Sequence, residues 1–212
     1  MTRHPPDAAA HTTVAGVILA GGRSRRMGGG DKALSDLAGE PLIDRVVSRL
    51  APQVPVLAVN ANGDPSRFAH LRLPVLRDTL DGHQGPLAGV LAGLRWAQLL
   101  SRSLVVTVPA DTPFVPKNLV TQLMARIESA DVAVASSRGV DHPTVALWRA
   151  AQADDLEAWL RDADRRAVRA WIATRSSAMV AFGDGDGGDP FFNVNTPADL
   201  EEASARARGE KA

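Results

Sequence analysis

The run Val14-Ala-Gly-Val-Ile-Leu-Ala20 passes directly into Gly21-Gly-Arg-Ser-Arg-Arg-Met-Gly-Gly-Gly-Asp-Lys32, and this junction constrains the fold more than any other stretch. A short apolar run that stops at glycines reads as a strand buried on both faces, as in parallel sheets. Open parallel sheets bind ligands at the carboxyl ends of their strands, which is where this loop begins. Gly21, Gly22 and Gly28 to Gly30 let backbone N–H groups approach an anion without a Cβ in the way. Arg23, Arg25, Arg26 and Lys32 add positive charge, and phosphate oxygens are the commonest target of such a set. The loop is expected to hold polyphosphate.

Two phosphate-loop patterns do not fit it. A P-loop needs Gly-Lys followed by Ser or Thr, whereas Asp31 precedes Lys32 and Ala33 follows it, leaving no hydroxyl for magnesium. Nor does a Gly-x-Gly-x-x-Gly segment open a helix here, which argues against a plain dinucleotide-binding site.

The remaining elements alternate. Pro41 to Leu50 reads as a helix with Leu42, Val46, Val47 and Leu50 on one face, and Val54 to Asn60 as the second strand, followed by a turn cluster. Leu73 to Leu76 is a weaker strand candidate leading to Asp78. Asp81 to Gly89 forms a second glycine loop opening a helix from Leu87 to Leu100; it is either an anion or base-edge site at a helix start, around Pro86 and Leu87, or only a connection. Ser103 to Pro109 is the clearest buried strand, and Asp111 just beyond it is either a magnesium ligand or a turn aspartate before Pro113. A helix over 116–129, strands over 131–136 and 143–148, a charged helix over 150–173 and a strand over 177–182 follow. Arg161, Arg165, Arg166 and Arg169 read as a solvated face or as a contact to a phosphorylated substrate. Gly183 to Asp189 reads as a hairpin tip, since an EF-hand's later glutamate is missing. Thr196 and Pro197 suit the cap and first residue of a last helix, with Asp199 in its first turn.

This alternation predicts an α/β fold, a single-domain, Rossmann-like three-layer sandwich with a mainly parallel sheet. Residues 1–13 are expected to form a disordered lead-in, 14–205 the domain and 206–212 a flexible tail. With 24 basic and 24 acidic residues, no global field recommends nucleic acid or an anionic membrane as partner. Only Lys32, Lys117 and Lys211 are lysines, so one inside the glycine loop stands out. The chain has no cysteine, which excludes thiolate chemistry and suits a reducing cytoplasm.

Seven motifs, taken in order, carry a resemblance. They are Leu19-Ala-Gly-Gly with Arg26-Met-Gly and Lys32, Val59-Asn-Ala-Asn62, Asp78, Gly85-Pro-Leu-Ala-Gly89, Asp111-Thr-Pro-Phe114, Asp141-His-Pro-Thr144 and Asn193-Val-Asn-Thr-Pro197. Together they resemble the molybdenum cofactor guanylyltransferase family, MobA, over almost everything from Gly16 to about Leu200. The resemblance implies a nucleotide-diphospho-sugar transferase type of fold. It implies transfer of GMP from GTP to the terminal phosphate of molybdenum-bound molybdopterin, with pyrophosphate released. Leu19, Ala20, Gly21 and Gly22 would contact GTP, as would Lys32, Asn60 and Asp78, with Pro86 and Leu87 at the helix start. Lys32, Arg26 and Asp111 would be catalytic, Asp111 holding Mg²⁺, while Asn193 and Asn195 would lie toward the pterin; His142, before Pro143, reads either as a loop or hydrogen-bonded polar residue or as a further contact on the pterin side. Other cofactor-biosynthesis proteins and recipient molybdoenzymes are implied as further partners. The alternatives are a cytidylyltransferase of the same cofactor, a sugar-phosphate nucleotidyltransferase, and a nucleotide-binding regulator without turnover. A related cytidylyl family has Leu-Ala-Ala-Gly in the first loop and lacks Gly-Pro-Leu-Ala-Gly, and this chain has the guanylyl form of both.

Overall fold

The computed structural model describes residues 13–21, 31–80, 85–162, 167–185 and 188–211. The expectations for the lead-in up to residue 12, for Gly22 and Arg26, for Arg165 and Arg166 and for the tip residue Asp186 fall outside these.

The chain begins with β1 (Val14–Leu19), then a small hairpin of β2 (Asp36–Leu37) and β3 (Glu40–Pro41) leading into α1 (Leu42–Leu50). Next come β4 (Val56–Asn60), β5 (Val75–Leu76), α2 (Pro86–Leu99) and β6 (Leu104–Pro109). The second half holds α3 (Leu119–Met124), β7 (Val132–Ser137), β8 (Val140–Arg149), α4 (Ala153–Asp162), α5 (Val168–Ile172), β9 (Ser177–Phe182) and α6 (Pro197–Lys211). Seven strands form one sheet in the order β5-β4-β1-β6-β8-β7-β9, and within it only β8 runs against its neighbours.

Strand β1 shows why the sheet has two covered faces. Its side chains alternate, so Val14 and Ile18 join a core with Ile43, Val46 and Leu50 of α1, while Ala15 and Val17 join one with Leu87, Leu91 and Leu94 of α2. Each such fully buried leucine or valine contributes about 1.5–3 kcal/mol. Helix α2 lies close on the sheet because Gly93 has no side chain: a Cβ there would meet Val17 Cγ2 at 2.9 Å.

Three expected elements differ. The strands around 131–136 and 143–148 are one hairpin, joined at Arg138 (φ 50°) and Gly139 (φ 75°). Two successive positive φ angles are what a two-residue mirror-image turn requires, and this turn makes β8 antiparallel. The helix expected over 116–129 is only Leu119–Met124, and beyond it the carbonyls of Ile127, Glu128 and Ala130 accept hydrogen bonds from the Arg149 guanidinium. The long helix expected over 150–173 is divided into α4 and α5, with Ala167 extended (ψ 133°) at the start of the second.

The expected tail from 206 is instead the end of α6. Ala207 is buried with Leu37, Leu42, Phe114 and Val194, and the Glu210 carboxylate accepts from both Arg45 and Arg49. Arg206 stacks 3.8 Å over the Phe114 ring, with Arg45 at 5.3 Å from the same ring. A helix that covers an apolar patch and neutralises the buried Arg45 and the partly buried Arg49 has reason to stay folded to its end. Among the described residues no helix is long and apolar enough to cross a membrane.

Candidate functional site

Strands β1, β4 and β6 end level with one another, since Leu19 pairs with Asn60 on one side and with Pro109 on the other. The ladders continue one residue further through Ala20 N–H to Asn60 O (2.8 Å) and Ala110 N–H to Leu19 O (3.0 Å). After β1 the chain moves outward to β4 and β5, then crosses back to β6 on the opposite side. Loops diverge at such a reversal and leave a crevice. A cleft of about 580 Å³ opens there, with Leu19, Ala20 and Gly21 at its floor.

Lys32 forms one wall. Asp31 caps the short turn Lys32–Leu34 by accepting from Ala33 N–H at 3.2 Å, which fixes where the lysine side chain leaves the backbone. Its ammonium donates to Asp111 Oδ2 (2.5 Å) and to Asn195 Oδ1 (2.7 Å). The first loop, the β6 end and the approach to α6 therefore meet at one cation. Both side chains of the ion pair are partly exposed, 17% for Lys32 and 25% for Asp111, so ligand can reach them.

The segment carrying Asn195 is docked on the Asp111 loop. Val194 N–H donates to Asp111 O (2.9 Å), and Thr112 Oγ1 donates to Asn193 Oδ1 (2.7 Å). Asp199 accepts from Asn195 N–H and Thr196 N–H, both at 2.8 Å, and its own N–H donates to Thr196 Oγ1. Thr196 caps the helix as expected, and Asp199, expected only as a first-turn carboxylate, returns the bond as a reciprocal cap. The bond from Asn195 N–H leads in holding the Asp199 carboxyl below its ordinary range, with burial opposing it and the Thr196 bonds adding to it.

The opposite wall is polar and rigid. Asn60 is buried; its Nδ2 donates to Asp78 Oδ1 (2.9 Å) and to Leu76 O (3.2 Å). Its Oδ1 lies against Gly89, where a Cβ would approach to 2.2 Å. Gly89 thus lets α2 pack against the asparagine. Asn62 donates from Nδ2 to Asp78 Oδ2 (2.7 Å) and accepts from Asp78 N–H (3.1 Å).

Of the expected nucleotide residues, Leu19, Ala20, Gly21, Lys32, Asn60, Asp78, Pro86 and Asp111 line the cleft. The Leu87 side chain is fully buried in the α2 core instead. Asn193 and Asn195 line the cleft, but Asn195 bonds the catalytic lysine candidate and Asn193 bonds Thr112. His142 is not among the lining residues. Its Nε2 bonds Ser137 Oγ (2.8 Å), its ring packs 4.8 Å from that of Phe191, and burial lowers its pKa below the ordinary 6.5. Thr144, two residues further along β8, reaches the cleft. Asn62, Thr144 and Asp31 are the lining residues with polar side chains that the site expectations passed over. Asn62 follows Asn60 by two positions at the end of a strand, a spacing that puts both on one side of an extended chain.

Asp111 fits the one role that a divalent cation asks of it. It offers a carboxylate at the cleft, close to the amide oxygen of Asn195, and already attracts a cation in Lys32. Mg²⁺ is commonly held by one or two carboxylates together with substrate phosphates, so a single protein carboxylate is an adequate anchor.

The chain matches the model of the MobA-like NTP transferase domain over residues 16–180. It is 48% identical over 196 residues to a molybdenum cofactor guanylyltransferase of Mesorhizobium japonicum, covering 90% of this chain and 94% of the relative. A protein of the same name from Cereibacter sphaeroides is 50% identical over 193 residues, covering 91% and 96%. The solved structure of molybdopterin-guanine dinucleotide biosynthesis protein A from Archaeoglobus fulgidus superposes with a TM-score of 0.72 at 23% identity, covering 92% of this chain and 99% of that one. A CMP:2-keto-3-deoxy-manno-octonic acid synthetase solved with CTP does so at 0.67 and 15% identity, covering 94% and 99%, which shows a shared nucleotidyltransferase fold. With the family model matched over most of the chain and relatives about half identical along nearly their whole length, the chain belongs to the MobA-like NTP transferase family.

Proposed function

We propose that the protein transfers GMP from GTP to the terminal phosphate of molybdenum-bound molybdopterin. The observation that carries this reading is the convergence of Lys32, Asp111 and Asn195 in the cleft between the β1 and β6 ends. The family and the names of relatives that are about half identical support the choice of substrates.

The chemistry follows from what these groups can do. A phosphate oxygen of the pterin forms a bond to the α-phosphorus of GTP while the bond from that phosphorus to the β-phosphate bridging oxygen breaks, and pyrophosphate leaves with the electron pair. The attacking phosphate is already anionic, so the step needs alignment and relief of charge repulsion rather than a strong base. Lys32 supplies a fixed positive charge beside the phosphates, and Asn195 restricts the directions its ammonium can take. Asp111 would hold Mg²⁺, which when bound neutralises phosphate charge and steadies the leaving group. Asn60 and Asp78 would receive the base on the other wall. No covalent enzyme intermediate is involved, so a chirally labelled α-phosphorus should invert. The reaction is placed in the cytoplasm, where nucleoside triphosphates are held.

Pyrophosphate release tests the reading directly, with GTP, CTP, ATP or UTP and Mg²⁺, with and without molybdenum-loaded pterin. Release only with GTP plus pterin is expected. Release with CTP plus pterin would overturn the base assignment, and no release from folded protein would leave a nucleotide-binding protein without turnover.

A further inference from the structure

We infer that Asn62 is a specificity-determining residue, holding the Asp78 carboxylate in the orientation that reads paired N–H donors on a guanine. The inference rests on the reading of GTP as the nucleotide and deepens it.

Asp78 is held at three points. Asn62 Nδ2 donates to its Oδ2 (2.7 Å), Asn60 Nδ2 donates to its Oδ1 (2.9 Å), and its own N–H donates to Asn62 Oδ1 (3.1 Å). One amide thus grips both the backbone and the side chain of Asp78, and the second amide takes the other carboxylate oxygen. An ionised carboxylate has about four acceptor positions, so each oxygen keeps capacity after accepting one amide hydrogen. All three residues line the cleft.

The two amides are not equivalent. Asn60 is buried and packed against Gly89, so it also serves the fold. Asn62 is exposed in the loop after β4 and belongs to none of the hydrophobic cores. It is nevertheless anchored: Arg67 Nη2 donates to Asn62 O (2.6 Å), and Arg67 Nη1 pairs with Asp31 Oδ2 (2.9 Å). An exposed loop asparagine tied down on both sides and spending its amide on a cleft carboxylate has a positioning role rather than a packing one.

Base chemistry gives that role its consequence. Guanine presents two neighbouring donors, N1–H and the 2-amino group, which match the two oxygens of one carboxylate. Adenine and cytosine place an acceptor beside their donor, and uracil has one N–H between two carbonyls. A carboxylate held still accepts at both oxygens from guanine and sets a lone pair against a lone pair with the others, which is how a polar site rejects an analogue. A carboxylate free to rotate loses that discrimination. The triphosphate would be held at the Lys32 wall, so the loss should fall on selectivity more than on affinity in general.

The test is equilibrium binding of GTP, ITP and CTP by calorimetry, without pterin, to the wild-type protein, Asn62→Ala and Asn62→Asp, with thermal melting as a check on folding. Inosine keeps N1–H and lacks the 2-amino group, so the GTP-to-ITP ratio reports the second carboxylate contact. The wild type should favour GTP over ITP by about tenfold or more. In Asn62→Ala that ratio should fall to about threefold or less, with ITP affinity changed by no more than about threefold. Asn62→Asp keeps an oxygen for Asp78 N–H but sets carboxylate against carboxylate, and it should lose the ratio as well. A wild-type ratio in both folded variants overturns the inference and leaves the guanine reading intact. A wild-type protein that does not prefer GTP to ITP and CTP overturns the guanine reading, and the inference with it.

Discussion

Lys32 Nζ lies 2.5 Å from Asp111 Oδ2, joining residues 79 positions apart at the reversal point of the sheet. A partly exposed pair of this kind stabilises the fold by on the order of 1 kcal/mol at most. Under the proposed function its value lies in holding two groups ready for phosphate. Lys32→Ala should therefore lower kcat/KM by about 10²–10³ or more while Tm stays near the wild-type value. Asp111→Asn should do the same and should also abolish the Mg²⁺ dependence of nucleotide binding. Steady-state kinetics with melting curves separate this from a structural role, for which Tm would fall together with activity.

Asn195 Oδ1 takes a second hydrogen of the same ammonium at 2.7 Å. Removing one hydrogen bond to a charged group costs about 1.5–3 kcal/mol where it is fully used. Asn195→Ala should accordingly lower kcat by about tenfold or more with GTP as substrate. If Asn195 serves only the pterin, the loss will appear in the pterin KM and kcat will be unchanged.

Two glycines should respond to alanine in opposite directions. At Gly89 the new Cβ would stand 2.2 Å from Asn60 Oδ1 and 2.9 Å from Leu19 Cδ2, so the helix or the asparagine must move. Overpacking of this kind costs about 1–3 kcal/mol, and nucleotide affinity should fall with it. Gly209, inside α6, has nothing within 4 Å of the added atom, and Gly209→Ala should stabilise by up to about 1 kcal/mol. Urea denaturation of both variants measures the two signs.

Glu210 accepts from Arg45 and Arg49, and Arg45 is only 7% exposed. Glu210→Ala leaves Arg45 with Glu40 at 3.2 Å as its remaining ion pair, and the expected cost is about 1–3 kcal/mol. Chemical denaturation should show it, and a chain truncated before Arg206 should lose more because Ala207 is removed from the core too. Unchanged stability after truncation would restore the view of this segment as a loose tail.

His142 gives a pH dependence whose sign is fixed by its surroundings. Burial lowers its folded-state pKa below 6.5; Asp189 and Asp141 oppose the shift and Arg169 adds to it. The unfolded chain then binds the proton more readily, so the contribution to stability is present above pH 6.5 and is lost as the pH falls through the folded-state pKa. Tm should fall as the pH is lowered from about 7.5 to 5.5, and His142→Gln should flatten that part of the profile. An identical slope in the variant would assign the effect to other groups.

The local pattern of the sequence determined most elements and the place of the cleft. An apolar run that stops at glycines marks Val14–Leu19, and strand-end positions mark Asn60 and Asp111, because burial on two faces and the turn out of a sheet leave short-range signatures. The caps at Thr196 and Asp199 were legible for the same reason. Only the tertiary structure decided which of these residues meet. Register sets Leu19 level with Asn60 and Pro109, and it brings Asn195 to Lys32 across 163 positions. The same holds for Asn62 on Asp78, for Arg149 on the carbonyls that follow α3, and for Glu210 keeping α6 folded to Lys211. Each is a polar contact between distant segments. Hydrophobic periodicity records which face is buried, and it carries no record of which partner a hydrogen-bonding group finds once the sheet has assembled.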